Sequence, residues 1–490
     1  MQRQRFLFAA FGLLTLWRWA LLPTLELAPD EALAVFRVKH GLWGGFFEMG
    51  PLVPLFAWLG MLIGGAEEWG VRFFAPLLAL AASLAVWRLA RDLYDEQIAG
   101  WAVVIVNVLP AFNLAAVTLT PAIFVCVLMP VAALCLRTAL LQADPRHRAW
   151  WAAAACVAGA ALARPPALSV LVAAALVIAL PQRQRHHLQG FGFRLVAASW
   201  SVVALSWLIW QGMHGGPAFA NWQWLPEWRL IPNLLRWIVL ASPLLLILFV
   251  MAVRVGWASF VQMSHRSLPM MLLLPLAGID FFYGPHDGWP DTSGGVWMLF
   301  AALLLAHRLM VTHYRMIEQK ISLRTIAVVL AALQSAVLLQ TDLPRTLGLP
   351  WHFSRQTAVS TDYTHFFTAD PSQTMRGWRE SAKVVSAVLQ QAGGDGSWFV
   401  LAGDWRLAVE LDHYCGRREP VLSVADHLGA FAGRSALFVT EDRDAGAVPD
   451  ALKNRFASTE LLSVARVMHA GNEVRWLKIF ACHDYRAPDF

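Results

Sequence analysis

The sequence predicts a polytopic α-helical membrane protein with about eleven transmembrane helices and a C-terminal α/β domain outside the membrane. Three observations predict it. The 490-residue chain is 58% hydrophobic and 15% charged, with a mean hydropathy of +0.50, which lies outside the range of soluble globular domains. Apolar runs approaching the roughly 20 residues needed to cross a ~30 Å hydrocarbon core recur as far as residue 341. Residues 342–490 then hold 34 of the 72 charged residues, so that stretch is built for water.

Taken in order, spans are expected near 5–24, 69–90, 99–115, 119–139, 150–164, 166–181, 195–213, 234–253, 268–284, 294–311 and 324–341. The first run carries Arg18 and lacks a small-residue cleavage site before Asp30, so it reads as an anchor and not a signal peptide. Residues 51–65 (PLVPLFAWLGMLIGG) are also apolar, yet at 1.5 Å per residue they reach only about 22 Å and they end in glycines. That stretch is expected at the membrane interface. Charge supports the choice: with 51–65 kept outside, 16 Lys and Arg face the cytoplasm. Only 6 (Arg37, Lys39, Arg72, Arg164, Arg229 and Arg236) face outward, as the positive-inside rule expects. The N-terminus is then cytoplasmic, and the chain divides into a membrane domain (1–341, with a first outer loop at 25–68) and an outer α/β domain (342–490). Within the latter, Trp398–Ala402, Ala436–Thr440 and Val474–Phe480 read as strands, and Ser381–Gln391 and Arg406–Tyr414 read as helices.

The formal charge of +6 is not a nucleic-acid footprint, because the basic residues sit singly or in small groups between apolar runs. Partners are expected in the membrane lipids instead. Cys126, Cys135 and Cys156 lie in apolar segments without C-x-x-C spacing, which argues against a zinc site. Cys415 and Cys482 fall in the polar tail, either as free thiols or as a pair in an oxidising compartment.

The first outer loop reads LAPDEALAVFRVKHGLWGGFFEMGPLVPLFAWLGMLIGGAEEWGVRF. Asp30 and Glu31 follow an apolar helix directly, which places two carboxylates at the outer membrane surface. One reading makes Asp30 the N-cap of a helix over Glu31–His40. The other lets a carboxylate take a proton from an acceptor hydroxyl or hold a divalent ion.

Feature order distinguishes this loop. Asp30-Glu31 is followed by an amphipathic stretch, then Phe46-Phe47-Glu48 with Pro51-Leu52, an apolar interfacial helix, and Gly70-Val71-Arg72 opening the second span. Over about residues 1–180 this resembles the bacterial lipid-phosphate-sugar-dependent (GT-C) glycosyltransferases that include lipid A aminoarabinose transferases and relatives of protein O-mannosyltransferases. Their loop reads roughly DEAYY…GYFDHPPLVAWL…GVR. The resemblance implies a GT-C-like membrane domain in a bacterial inner membrane, a periplasmic C-terminal domain that caps the cavity or selects the acceptor, and a polyprenyl-phosphate sugar donor. The acceptor would be a lipid, glycan or protein. It makes Asp30 the candidate base, with Glu31 beside it and Glu48 as a second acidic group, and it allows Asp30 and Glu48 to share a divalent cation such as Mg or Mn. Arg164 falls where relatives carry a cation for the donor phosphate, or is a residue snorkelling at a helix end. Arg72 reads as a structural ion-pair partner of Glu67 or Glu68.

The chain departs from the pattern in two places. Relatives carry an acidic residue in the next outer loop, where this chain has Leu119-Thr120-Pro121, and a hydroxyl cannot replace a carboxylate as base or charged ligand. The His-Pro-Pro after the Glu48 position is reduced to Met49-Gly50-Pro51. A divergent acceptor, metal-independent chemistry and loss of catalysis are the alternatives. A later loop, 284–291, resembles an H-W-P element: His286, Asp287 and Trp289 either line the mouth of the substrate site or form an interfacial belt with turn residues. Two further classes compete with sugar transfer, a flippase for a lipid-linked sugar and a non-catalytic lipid-phosphate-binding relative. Transporters place ionisable residues near mid-membrane, whereas the candidates here cluster at loop ends.

Overall fold

The structure is a computed structural model that describes residues 2–41, 50–141, 148–163, 190–213, 241–261, 268–283, 296–313, 323–339, 375–393, 398–417, 419–424, 431–441, 448–469 and 472–486. They fall into two compact units: residues 1–22, 44–65 and 69–341 in one, and 23–43, 66–68 and 342–490 in the other. The chain passes from one unit to the other at 341/342, and residues 23–43 and 66–68 of the first loop group with 342–490. Both ends of the first outer loop belong to the unit that holds the C-terminal residues, for reasons given by the hydrogen bonds described below.

In the first unit the helices are α1 (Gln2–Leu21), α3 (Leu52–Gly64), α5 (Ala75–Leu93), α6 (Glu96–Val108), α7 (Pro110–Ala115), α8 (Pro121–Leu141), α9 (Arg148–Ala163), α10 (Phe191–Met213), α11 (Pro243–Val261), α12 (Leu268–Tyr283), α13 (Val296–His313) and α14 (Leu323–Leu339). A short helix α4 (Glu68–Val71) precedes α5. Every expected span coincides with or overlaps one of these, except 166–181, which lies outside the described residues. Among the described residues, three helical stretches are long and apolar enough to cross a membrane: Glu68–Leu93, Pro121–Leu141 and Phe191–Trp210. The span expected at 99–115 is two helices. The chain breaks at Leu109, which is extended at φ −64°, ψ 125°, because Pro110 has no N–H and crowds an α-helical residue before it. The stretch expected at the interface is helical over the 13 residues of α3.

Alanine-rich faces let these helices approach closely: α9 packs on both α8 and α10, α5 on α6 and α8, and α13 on α6 and α12. Buried among them, Arg18 donates from Nη2 to Oδ1 of Asn107 at 3.0 Å and of Asn113 at 2.8 Å, with its guanidinium 5.5 Å from the centre of the Phe112 ring. Asn113 Nδ2 in turn donates to the carbonyls of Asn107 and Leu109, on either side of the step from α6 to α7. The helix break and the buried cation thus satisfy one another. Asn113→Leu keeps the volume and removes the shorter bond to the charge. It is expected to cost about 2 kcal/mol, read as a lower melting temperature of the purified protein in detergent.

The second unit contains α2 (Pro29–Lys39), α15 (Trp378–Ala392), β1 (Trp398–Ala402), α16 (Trp405–Cys415), β2 (Leu422–Ser423), β3 (Ser435–Thr440), α17 (Asp450–Lys453), β4 (Phe456–His469) and β5 (Asn472–Tyr485). Its sheet has the order β2-β1-β3-β5-β4. The strands β2, β1 and β3 are parallel, while β5 runs antiparallel to both β3 and β4. All five residues of β1 are buried, which accounts for the unbroken run WFVLA: both faces of this interior strand are covered. Val400, Leu437 and Ile479 pack on one face with Val385 and Leu389 of α15. Phe399, Phe438 and Phe480 pack on the other. Cys415 packs on the first face and Cys482 belongs to the second, so no disulfide joins them. Burial pushes the Cys482 thiol up to about 12.

Candidate functional site

The candidate site begins with the eleven residues of α2. Leu25, Leu27, Ala28, Ala32 and Val35 are buried, which fixes one face of the segment. Proline occupies the first helical position, where its missing N–H is no loss and its φ is already helical. The helix therefore starts at Pro29 and not after Asp30. Ala28 is the N-cap residue, and Glu31 reaches back from the third position, where its Oε2 accepts the Ala28 N–H at 2.9 Å. The capping role assigned by sequence to Asp30 is thus performed by Glu31, whose exposure is 0%. Asp30, one position earlier, keeps a half-buried carboxylate in the first turn, where the helix dipole favours negative charge. Of the adjacent acidic pair, one residue is committed to folding and the other faces partly outward.

Polar groups tie this segment into its unit at four points. Before the helix, Glu26 accepts the N–H groups of Trp378 at 2.7 Å and Arg379 at 3.2 Å, the first turn of α15. Burial raises the Glu26 carboxyl, opposed by those two N–H groups. Next, the Leu27 N–H donates to the Tyr414 hydroxyl at 2.8 Å, and that hydroxyl donates to Glu68 Oε1 at 2.9 Å. Glu68, 1% exposed, also takes Arg379 Nη2 at 2.6 and 2.7 Å. Burial, together with the charges of Glu410 and Glu68, pushes the Tyr414 phenol far up, so it stays a neutral donor. At the other end of α2, Lys39 Nζ meets Asp412 Oδ2 at 2.9 Å, and His40 Nε2 lies 3.1 Å from both carboxylate oxygens. Asp412, 1% exposed, also accepts the Val421 N–H at 3.1 Å. Arg37 is buried on α2, and burial lowers its guanidinium to about 10.

Sequence reasoning missed Glu26, Asp412 and the joint role of Tyr414. The available signal was the helical periodicity of Arg406–Tyr414, which says nothing about what its polar residues hold. Glu68, expected with Glu67 as a partner of Arg72, is held by Arg379 and Tyr414. Arg72 is fully buried and donates to the Leu22 carbonyl at 3.3 Å. Thr120 is buried. Glu48, Arg164, His286, Asp287 and Trp289 lie outside the described residues. Among the described residues no group of three or more His, Cys, Asp or Glu side chains converges to hold a metal ion, and Glu31 is engaged in its cap. The described residues do not by themselves assemble a divalent-cation site, and no chemical step below is routed through one.

The sequence profile of the family described as dolichyl-phosphate-mannose-protein mannosyltransferase matches residues 48–210. No curated protein matches the chain by sequence. Among solved structures, ArnT from Cupriavidus metallidurans in the apo state superimposes with a TM-score of 0.57 at 15% identity, covering 97% of each chain. The same protein bound to undecaprenyl phosphate gives 0.56 at 16% identity, again covering 97% of each. The Archaeoglobus fulgidus oligosaccharyltransferase in complex with Zn and sulfate gives 0.50 at 11%, over 86% of this chain and 62% of that one. At these identities the likeness is one of fold, and for ArnT it runs over nearly the whole length of both chains.

Proposed function

We propose that the chain, which shares the fold of ArnT over nearly its whole length and matches a mannosyltransferase family profile over residues 48–210, is a divergent GT-C glycosyltransferase that transfers a sugar from a polyprenyl-phosphate donor to a lipid, glycan or protein acceptor at the outer face of a bacterial inner membrane. The observation that carries this reading is the full-length likeness of fold to a protein whose structure holds undecaprenyl phosphate. The charge asymmetry of the loops supports a cytoplasmic N-terminus and a periplasmic C-terminal domain.

In this reaction the acceptor oxygen attacks the anomeric carbon as the bond to the lipid phosphate oxygen breaks, and the phosphate leaves with the electron pair. Asp30 takes the acceptor's proton. A single direct displacement inverts the anomeric centre. Glu31 shapes the helix end that presents Asp30, through its bond to Ala28. Arg164 is assigned to the donor phosphate, Glu48 to the vicinity of the reacting centre, and His286, Asp287 and Trp289 to the mouth of the cavity. A lipid-embedded donor needs no nucleotide-sugar fold, because the bilayer itself presents it.

The test is purified protein in proteoliposomes supplied with a panel of polyprenyl-phosphate sugars and with lipid A, glycan and peptide acceptors. Release of polyprenyl phosphate together with a glycosylated acceptor is expected for at least one pair. Movement of donor across the bilayer with no sugar transferred to any acceptor would overturn the reading in favour of a flippase.

A further inference from the structure

We infer that Tyr414 and Asp412 are positioning residues for the Asp30 helix, so that α16 of the C-terminal region sets where the base stands. The inference rests on the reading of Asp30 as the base.

The connections come in a particular order. The α-helix α2 lies within the segment 23–43, and its two ends are held by residues two apart on α16. At the entry, the Leu27 N–H is satisfied by the Tyr414 hydroxyl at 2.8 Å, three residues before Asp30. At the exit, Lys39 and His40 converge on Asp412 at 2.9 and 3.1 Å. Tyr414 also donates to Glu68, in the short stretch 66–68 that closes the same loop. One phenol therefore joins the beginning and the end of the loop.

The contacts made by Lys39, His40 and the Tyr414 hydroxyl end on buried carboxylates. Asp412 and Glu68 are each about 1% exposed. Tyr414 is held in its neutral form by burial, and so can donate to Glu68 while accepting from Leu27. Such a network has one well-satisfied arrangement, because any slip of α2 along α16 would leave a buried carboxylate or N–H without its partner. A helix end anchored three residues from a general base is positioned to a fraction of an ångström, and proton-transfer rates are sensitive to shifts of about 1 Å. The network's effect is on geometry at Asp30.

The experiment is steady-state kinetics on full-length Tyr414→Phe and Asp412→Asn, with Asp30→Asn alongside. Both positioning variants are expected to lower kcat about 10- to 100-fold while the KM for the polyprenyl-phosphate sugar stays within about twofold, since an interaction felt only in the transition state lowers kcat alone. Lys39→Gln alters a partly exposed partner of Asp412 and carries the test if the buried variants fail to fold; a smaller fall in kcat at unchanged KM is expected of it. An unchanged kcat in Tyr414→Phe and Asp412→Asn, with Asp30→Asn inactive, overturns the positioning role and leaves the base intact. A raised KM at unchanged kcat also overturns it, by making α16 part of a substrate-binding surface. Full activity in Asp30→Asn instead removes the reading on which the inference stands.

Discussion

Asp30→Asn is expected to lower sugar transfer by about 10²- to 10⁴-fold, the range for removing a general base, while the protein inserts and melts as the unchanged chain does. The two effects separate because the positions of the acidic pair are so different. The Asp30 carboxylate is half-buried in the first turn of α2, where its charge is worth about 0.3–1 kcal/mol to the helix. The isosteric amide removes that charge and keeps the side chain's size. A fall in rate beyond what such a small stability change can produce is then a statement about chemistry. Glu31→Gln provides the contrast. Glu31 is fully buried on the Ala28 N–H, so its substitution is expected to show first in melting temperature. Product formation assayed with a polyprenyl-phosphate sugar, beside a detergent melting curve, reads both. Wild-type rates in Asp30→Asn would show that the proton goes elsewhere.

Gly70→Ala is expected to destabilise the first unit by about 3 kcal/mol or more, at or beyond the upper end of what an added core methyl costs. A Cβ on Gly70 would overlap the carbonyl oxygen of Gly65 and stand 2.8 Å from the carbonyl carbon of Gly64. Neither obstacle is a side-chain tip that can swing away. The same crowding recurs from the other side, since a Cβ on Gly60 would run into the carbonyl oxygen of Gly70. The end of α3 and the start of the following helix meet here backbone to backbone, which only glycine allows. The measurement is the yield of folded protein in the membrane fraction together with its melting temperature. An alanine variant that melts with the parent would mean the two segments are not in contact in the molecule.

Gly70 also shows how much of this protein could be read from sequence. Gly-Val-Arg was visible as a fragment of a family pattern, but the need for glycine lies in the carbonyl of Gly65 and cannot be seen in the string. Regular elements were far more legible. The β1 run WFVLA and the helical periodicity of Arg406–Tyr414 report burial directly, so both were placed within a residue or two of β1 and α16. The strand β4 was missed because most of its length is exposed, and an exposed edge strand carries little apolar alternation to detect. The break at Leu109 was missed because the residues on either side are equally apolar. Only the proline marked it.

The candidate site divided along the same line. The acidic pair announced itself by standing directly after an apolar helix, and that placement is local information. Which member of the pair was committed to the helix cap was not local. It depended on Pro29 starting the helix early enough for Glu31, and not Asp30, to reach back to the cap. Glu26, Asp412 and Tyr414 were further from view, because each acts on a segment more than three hundred residues away in the chain.

By itself, then, the sequence determined the helical membrane character, the α/β material of the C-terminal residues and the acidic first loop. Those properties follow from hydrophobicity, charge and periodicity within short windows. Only the tertiary structure decided that the loop's helix belongs to the same compact unit as the C-terminal residues and which carboxylate of the pair is committed to folding. Those outcomes depend on satisfying buried N–H groups and charges across long chain separations, where no local pattern carries the information.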